Sequence, residues 1–308
     1  MTALSRRRFL ESATFGALLA GAARASGRTT QQAPAAPPPT VFTALRRDVG
    51  IFTGRGGTIG WLITPDAVVI VDAQFPDTAK TCLDGVASRS GHAIDLLINT
   101  HHHRDHTAGN IVFKPQVAHI LAQEHVPALQ KTAAEQRKTL DDQAYADQTF
   151  ETTWEQEFGN ERVRLQYYGP GHTSGDAVVT FVRANVVHMG DLMFRGMHPF
   201  VDRPAGASIR NWITALEQVQ RAHAKDTIYI FGHAMEGLGV SGTSAELLAM
   251  RDYFTAIVDH VQRGVAAGKS RDEVVALAAL PHFETYSSMS PEALGDVLGV
   301  AFDELTSK

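Results

Sequence analysis

The 308-residue chain contains a single cysteine, Cys82. No disulfide can close within it, so stability has to come from packing. A lone cysteine in a helix-like stretch reads as a small buried hydrophobe and takes no chemical role. A basic excess is missing too: 28 Lys and Arg stand against 33 Asp and Glu, for a net charge of −5. Nucleic-acid surfaces need a basic footprint, so no nucleic-acid partner is expected. The chain shows no internal repeat of fixed period. It also lacks the G-x-x-x-x-G-K-[ST] phosphate loop, and Gly54-Arg-Gly-Gly57-Thr58 reads instead as a tight turn between early strands. The apolar stretch Ala13–Ala23 is shorter than the about 20 residues a stable membrane anchor requires.

That stretch has another reading. Ser5-Arg6-Arg7-Arg8-Phe9-Leu10 matches the twin-arginine export consensus, and Ala23-Arg24-Ala25 supplies a small-x-small cleavage site. Residues 1–25 are therefore expected to be a signal peptide read by the twin-arginine translocase, and the mature protein to be periplasmic or secreted. The leader carries Arg6, Arg7, Arg8 and Arg24 against Glu11, so its removal leaves a net charge of about −8. Residues 26–40, rich in Ala, Pro, Thr and Gln, read as a flexible linker.

From about residue 41 compact apolar runs alternate with helix-like spacing. Ala67–Val71, Leu96–Asn99, Ala177–Val182 and Thr227–Phe231 read as strands. Thr78–Ser88, Ser208–Ala222 and Ala245–Ala267 read as helices. The alternation predicts layered α/β architecture. After His233 the text turns helical. Ser270-Arg-Asp-Glu273 predicts a capping box, and Ser290-Pro291-Glu292 predicts a helix with Ser at the cap. The segment 241–308 is expected to be a helical extension packed on a main domain over 41–240.

The chemistry gathers in Thr100-His101-His102-His103-Arg104-Asp105-His106, directly after the apolar run ending at Asn99. Borderline metals such as Zn²⁺ take neutral imidazole nitrogen and carboxylate oxygen. Spacing by two places His101 and His103 on one side of an extended backbone. Asp105 and His106 turn toward a second metal if the chain bends into a helix there.

H-x-H-x-D-H after a strand resembles the signature of the metallo-β-lactamase superfamily, supplied here by His101, His103, Asp105 and His106. Three further segments of that pattern follow in order: Gly169-Pro-Gly-His172-Thr-Ser-Gly-Asp176, Val186-Val-His-Met-Gly190-Asp191, and Ile228-Tyr-Ile-Phe-Gly232-His233. The resemblance covers roughly residues 45–240 and implies a four-layer αβ/βα sandwich. It also implies a ligand set, with His101, His103 and His172 on one metal and Asp105, His106 and His233 on another. Asp191 would bridge the two. Two zinc ions are the implied cofactor, with iron or manganese as alternatives. Such a site would hold a bridging hydroxide that attacks the carbonyl of a small ester, lactone, thioester or β-lactam, Asp105 orienting it and taking its proton. Asp72 matches a position that hydrogen-bonds near the metal loop, although an Asp capping a turn after a strand explains it equally.

Two other classes stay open at this point. One is an oxidoreductase resembling the sulfur dioxygenases, with one iron at His101, His172 and Asp191; the other is a metal-binding protein without turnover. Asp191 departs from the cysteine or serine of classical zinc β-lactamases. His102 and His188 read as packing or support. Arg195, Met197, His198, Phe200 and Asp202 are expected to line the substrate pocket. Tyr167 and Tyr168 belong to a strand leading to His172.

Overall fold

Short apolar runs separated by turn residues build two mixed sheets. The structure, a computed structural model, describes residues 40–287, 290 and 292–307. The expected leader and all but the last residue of the linker lie outside the described residues. In chain order come β1 (Val41–Arg46), β2 (Val49–Thr53), β3 (Ile59–Ile63), β4 (Val68–Val71), α1 (Pro76–Ala87), β5 (Ile94–Asn99), α2 (Arg104–Thr107) and α3 (Asn110–Phe113). β6 (Val117–Gln123), α4 (Val126–Arg137) and β7 (Gln148–Phe150) follow. These seven strands lie side by side in sequence order, antiparallel from β1 to β4 and parallel from β4 to β7.

The chain then leaves for a second sheet. Its elements are β8 (Thr153–Phe158), β9 (Glu161–Tyr167), β10 (Ala177–Phe181), β11 (Val186–His188), β12 (Phe194–Arg195), α5 (Ile209–Ala222), β13 (Ile228–Ile230), β14 (His233–Ala234) and β15 (Ser241–Gly242). Six strands order as β15-β13-β11-β10-β9-β8, and β12 pairs with β14 in a separate ladder. α6 (Ser244–Ala266), α7 (Arg271–Val275) and α8 (Ala293–Thr306) complete the chain.

Continuous apolar strands mean burial on both faces, and side chains alternate between those faces. In β4, Val69 and Val71 point into the core between the sheets, where they join Val179 and Val186. Val68 and Ile70 point the other way, onto Ala79, Cys82 and Val86 of α1. The second sheet repeats the arrangement, with Val178 and Val187 facing Trp212 and Leu216 of α5 and Tyr253 and Phe254 of α6. The layers therefore run helix, sheet, sheet, helix. No helix among the described residues is long and apolar enough to cross a membrane.

Helix starts follow local chemistry. Ser208 accepts from Asn211 N at the head of α5, and capping boxes at Thr243/Glu246 and Ser270/Glu273 open α6 and α7. The last helix corrects an expectation. α8 starts at Ala293 with Glu292 as its cap and no side-chain cap bond, two residues later than Ser290 predicted; Pro291 lies outside the described residues. The C-terminal segment also pairs with the second sheet's loops, where Ser287 N donates to Gly196 O and His198 N to Ser287 O, each at 2.9 Å.

Candidate metal centre

β4 and β5 run parallel, as do β11 and β13, and each is followed at its C-terminal end by a chemically active residue. Asp72 follows β4, His101 to His106 follow β5, Asp191 follows β11 and His233 follows β13, while His172 comes from the β9–β10 loop. C-terminal strand ends form the crevice in open α/β sheets, and here the two crevices meet. All seven residues expected as donors come together. The donor atoms of His101, His103, His172 and Asp191 fall within 4.8 Å of one another, as do those of Asp105, His106 and His233. A third set within that span, His102, His103 and Asp202, shares His103 with the first.

The Asp191 carboxylate lies between the two sets. Its Oδ2 is 3.8 Å from His101 Nε2 and 3.5 Å from His172 Nε2 on one side, and 3.3 Å from His233 Nε2 on the other. Its Oδ1 is 3.0 Å from His106 Nε2. His233 Nε2 also stands 3.1 Å from Asp105 Oδ2. His101 Nε2 is buried without a hydrogen-bond partner, and Asp191 Oδ1 faces only the His106 imidazole. Buried polar atoms are seldom left so, and such atoms converging in a nest of imidazoles fit a cation.

On four of the five imidazoles the ring nitrogen turned away from this nest is occupied. His101 Nδ1 meets Thr100 Oγ1 at 3.1 Å, His103 Nε2 meets Asp202 Oδ2 at 2.8 Å, His106 Nδ1 meets Asp72 Oδ2 at 2.7 Å, and His172 Nδ1 meets Phe200 O at 2.9 Å. Partners of this kind fix ring orientation in metal sites. Asp72 takes both roles weighed for it, because it also accepts from Thr100 N and Thr100 Oγ1, each at 2.8 Å, and so shapes the turn after β5. Two glycines let the backbone pass close by. A Cβ on Gly57 would stand 2.0 Å from the His106 ring, and one on Gly232 2.0 Å from Asp191 Oδ1.

Burial and the carboxylates pull the imidazoles in opposite directions. Burial takes His101 well below the usual histidine range and His172 down to about 3. Burial also opposes charge on His106 and His233, but the neighbouring carboxylates win. Asp191, Asp105 and Asp72 hold His106 well above its ordinary value, and Asp191 with Asp105 brings His233 up to about 9. Burial likewise works against ionised Asp105 and Asp191, and the surrounding imidazoles overcome it, leaving both below the ordinary carboxylate range. The metal-free nest thus already holds the carboxylates as anions.

A cleft of about 730 Å³ opens over the nest, with Phe75, Leu129, Phe194 and Phe200 among its walls. Phe194 stacks on His233, ring centroids 5.2 Å apart. Of the segment expected to line this cleft, only Phe200 and Asp202 do. Arg195 pairs with Glu246 at 3.0 Å, Met197 bridges to Ser287, and His198 is buried against Tyr253 with its Nδ1 2.9 Å from the hydroxyl. Ser287 pairs with Gly196 and His198 on either side of Met197, and Arg195 is held by Glu246 of α6. His188 is a support: its Nε2 meets Thr58 O at 3.0 Å and its Nδ1 accepts from Gly190 N. His102 is buried on the cleft wall, 3.6 Å from Asp202. Thr100 was given no role from the sequence, and Asp202 was noticed only by position.

The profile of the metallo-beta-lactamase superfamily matches residues 52–233, a span that contains every donor named above. The chain belongs to that superfamily and is an enzyme of its metal-dependent hydrolase type. It is 24% identical over 196 residues to a metallo-beta-lactamase type 2 of Bacillus cereus, covering 63% of this chain and 73% of that one. It is 29% identical over 152 residues to a hydroxyacylglutathione hydrolase of Brucella anthropi, covering 49% of this chain and 53% of the relative. Among solved structures it resembles a metallo-beta-lactamase from Pontibacter korlensis (TM-score 0.57, 17% identity, 70% of this chain, 99% of that one). It also resembles a double mutant of a sec-alkyl sulfatase (TM-score 0.68, 12% identity, 87% of this chain, 50% of that one). Fewer than four-fifths of the residues precede α6, so this second match extends into the C-terminal helices.

Proposed function

We propose that the protein is a dinuclear zinc hydrolase acting on a small ester, lactone, thioester or β-lactam. His101, His103 and His172 would hold one ion, Asp105, His106 and His233 the other, with Asp191 bridging. The observation that carries this reading is the position of the Asp191 carboxylate, whose oxygens lie 3.0–3.8 Å from imidazoles of both sets. Five neutral imidazoles and two carboxylates leave a residual charge of about 2+ on two Zn²⁺, which favours an added anion. Bound zinc supplies an acidified water and polarises a substrate carbonyl.

The chain's own groups divide the remaining work. Asp105 reaches the cleft, its side chain 31% exposed against 4% for Asp191. As the more exposed of the two, Asp105 would be the carboxylate that takes a proton from an attacking water. Asp191 is confined between rings and positions rather than transfers. Phe194 and Phe200 give the cleft apolar walls. A single iron at His101, His172 and Asp191 would leave Asp105, His106 and His233 without a task, so the one-metal oxidoreductase reading is disfavoured. Export through the twin-arginine route belongs to the same proposal and rests on Ser5–Leu10.

Elemental analysis of the folded protein, run beside hydrolysis of nitrocefin, a lactone, a thioester and a phosphodiester, tests the reading. About two zinc ions per chain with turnover of a carbonyl substrate is the expected result. One iron per chain without hydrolysis would sink it. Asp105→Asn is expected to lower kcat by about a hundredfold or more; full activity with metal still bound would remove the proton role.

A further inference from the structure

On the reading that the cleft hydrolyses a carbonyl compound, we propose that its substrate carries an anionic group on an apolar body, and that Arg104 and Arg137 recognise that group. α4 presents one stripe to the cleft. Leu129, Thr132, Ala133, Gln136 and Arg137 all line it, and their spacing of three and four is that of a single helix face. Val126, Gln130 and Ala134 of the same helix are buried. The helix is therefore a wall that is partly apolar along its length and cationic at its end. From α2, Arg104 lines the same cleft.

Neither guanidinium forms an ion pair among the described residues, and both side chains are exposed. The contrast with Arg55 is direct. Arg55 and Arg104 both lie against the Phe75 ring, at 4.0 and 5.3 Å from its centroid, yet Arg55 is bound to Asp77 at 2.6 Å. Among the described residues no carboxylate of the cleft pairs with either guanidinium. Asp105, Asp191 and Asp202 are each engaged by an imidazole, at 3.1, 3.0 and 2.8 Å respectively. Two unpaired guanidiniums beside a pocket offer sites for an anion, and their forked donors match carboxylate or sulfate oxygens. Phe200, 52% exposed at the mouth, offers the complementary apolar surface. Arg137 also sits at the C-terminal end of α4, where a cation is favourable for the helix itself. The experiment has to separate that role from recognition.

Binding of hexanoate, hexyl sulfate and hexanamide to the folded, zinc-free protein is measured by ligand-observed NMR titration, for the wild type and for R104Q/R137Q. The anions are expected to bind at least tenfold more tightly than the amide, with that advantage largely lost in the double variant. Tight binding of hexanoate without hexyl sulfate assigns a carboxylate, and the reverse assigns a sulfate. In the zinc-loaded enzyme, the kcat/KM ratio of mono-4-nitrophenyl adipate to 4-nitrophenyl hexanoate should fall about tenfold in the double variant, chiefly through KM. Unchanged anion binding in R104Q/R137Q overturns the proposal, because a purely helix-stabilising Arg137 would not move it. Selective anion binding that depends on the two arginines, in a zinc-loaded protein that cleaves neither ester nor the lactone, thioester and nitrocefin of the hydrolysis screen, would instead overturn the hydrolase reading and leave the anion subsite standing.

Discussion

Asp72 is fully buried and gives one carboxylate three polar partners: His106 Nδ1, Thr100 N and Thr100 Oγ1. Asp72→Ala frees the His106 ring and unties the turn that carries His101. A 10- to 100-fold loss of zinc affinity is expected, measured by competition with a chromophoric chelator; unchanged affinity would show that His106 is held by packing alone. Gly57→Ala should weaken zinc binding as well, since the new methyl would press on the His106 ring. The candidate donors were legible because H-x-H-x-D-H is local and its companions follow in order. Their supports were not, for a plain reason of distance along the chain. Asp202 is 99 residues from His103, and Phe200 reaches His172 through its backbone carbonyl, which no side-chain pattern encodes.

Individual elements show where sequence signals suffice. The capping box at Thr243 and Glu246 opens the 23-residue α6, whose Tyr253, Phe254 and Ile257 pack on the second sheet. Thr243→Ala should cost about 1 kcal/mol, read as a shifted urea midpoint with unchanged slope. A silent substitution would mean that packing holds the helix start in place. The apolar runs of β4, β5, β10 and β13 announced themselves because strands buried on both faces need continuous apolar text. β8, with its consecutive exposed Glu155, Gln156 and Glu157, did not. The start of α8 was misplaced because Glu292 caps by backbone position and not by a side-chain bond. His198 was misassigned because the pairing of Ser287 with Gly196 and His198 comes from remote chain and turns that segment toward Tyr253.

For the whole molecule, acidity and metal act on the same nest. His172 is taken down to about 3 in the fold against an ordinary value near 6.5, so the unfolded chain binds the extra proton and metal-free stability falls as pH drops from 6.5 toward 3. His233 has the opposite sign. Raised to about 9, its contribution is fully present below 6.5 and is lost as pH rises through 9. The metal-free protein should therefore be most stable around pH 6.5, as melting temperature against pH would show. Chelating the metal should lower the melting temperature at every pH near neutrality. A monotonic profile would mean that the two histidines do not govern the balance.

The chain crosses from the first sheet to the second through Glu151 and Thr152 alone, between β7 and β8. A nick there divides the donors into complementary halves: His101, His103, Asp105 and His106 stay on the N-terminal fragment, and His172, Asp191 and His233 go to the other. Neither fragment keeps a full set for either of the two proposed ions. The severed halves are thus expected to reassemble into an active pair far more tightly with zinc than with chelator, a split enzyme whose complementation reports the metal.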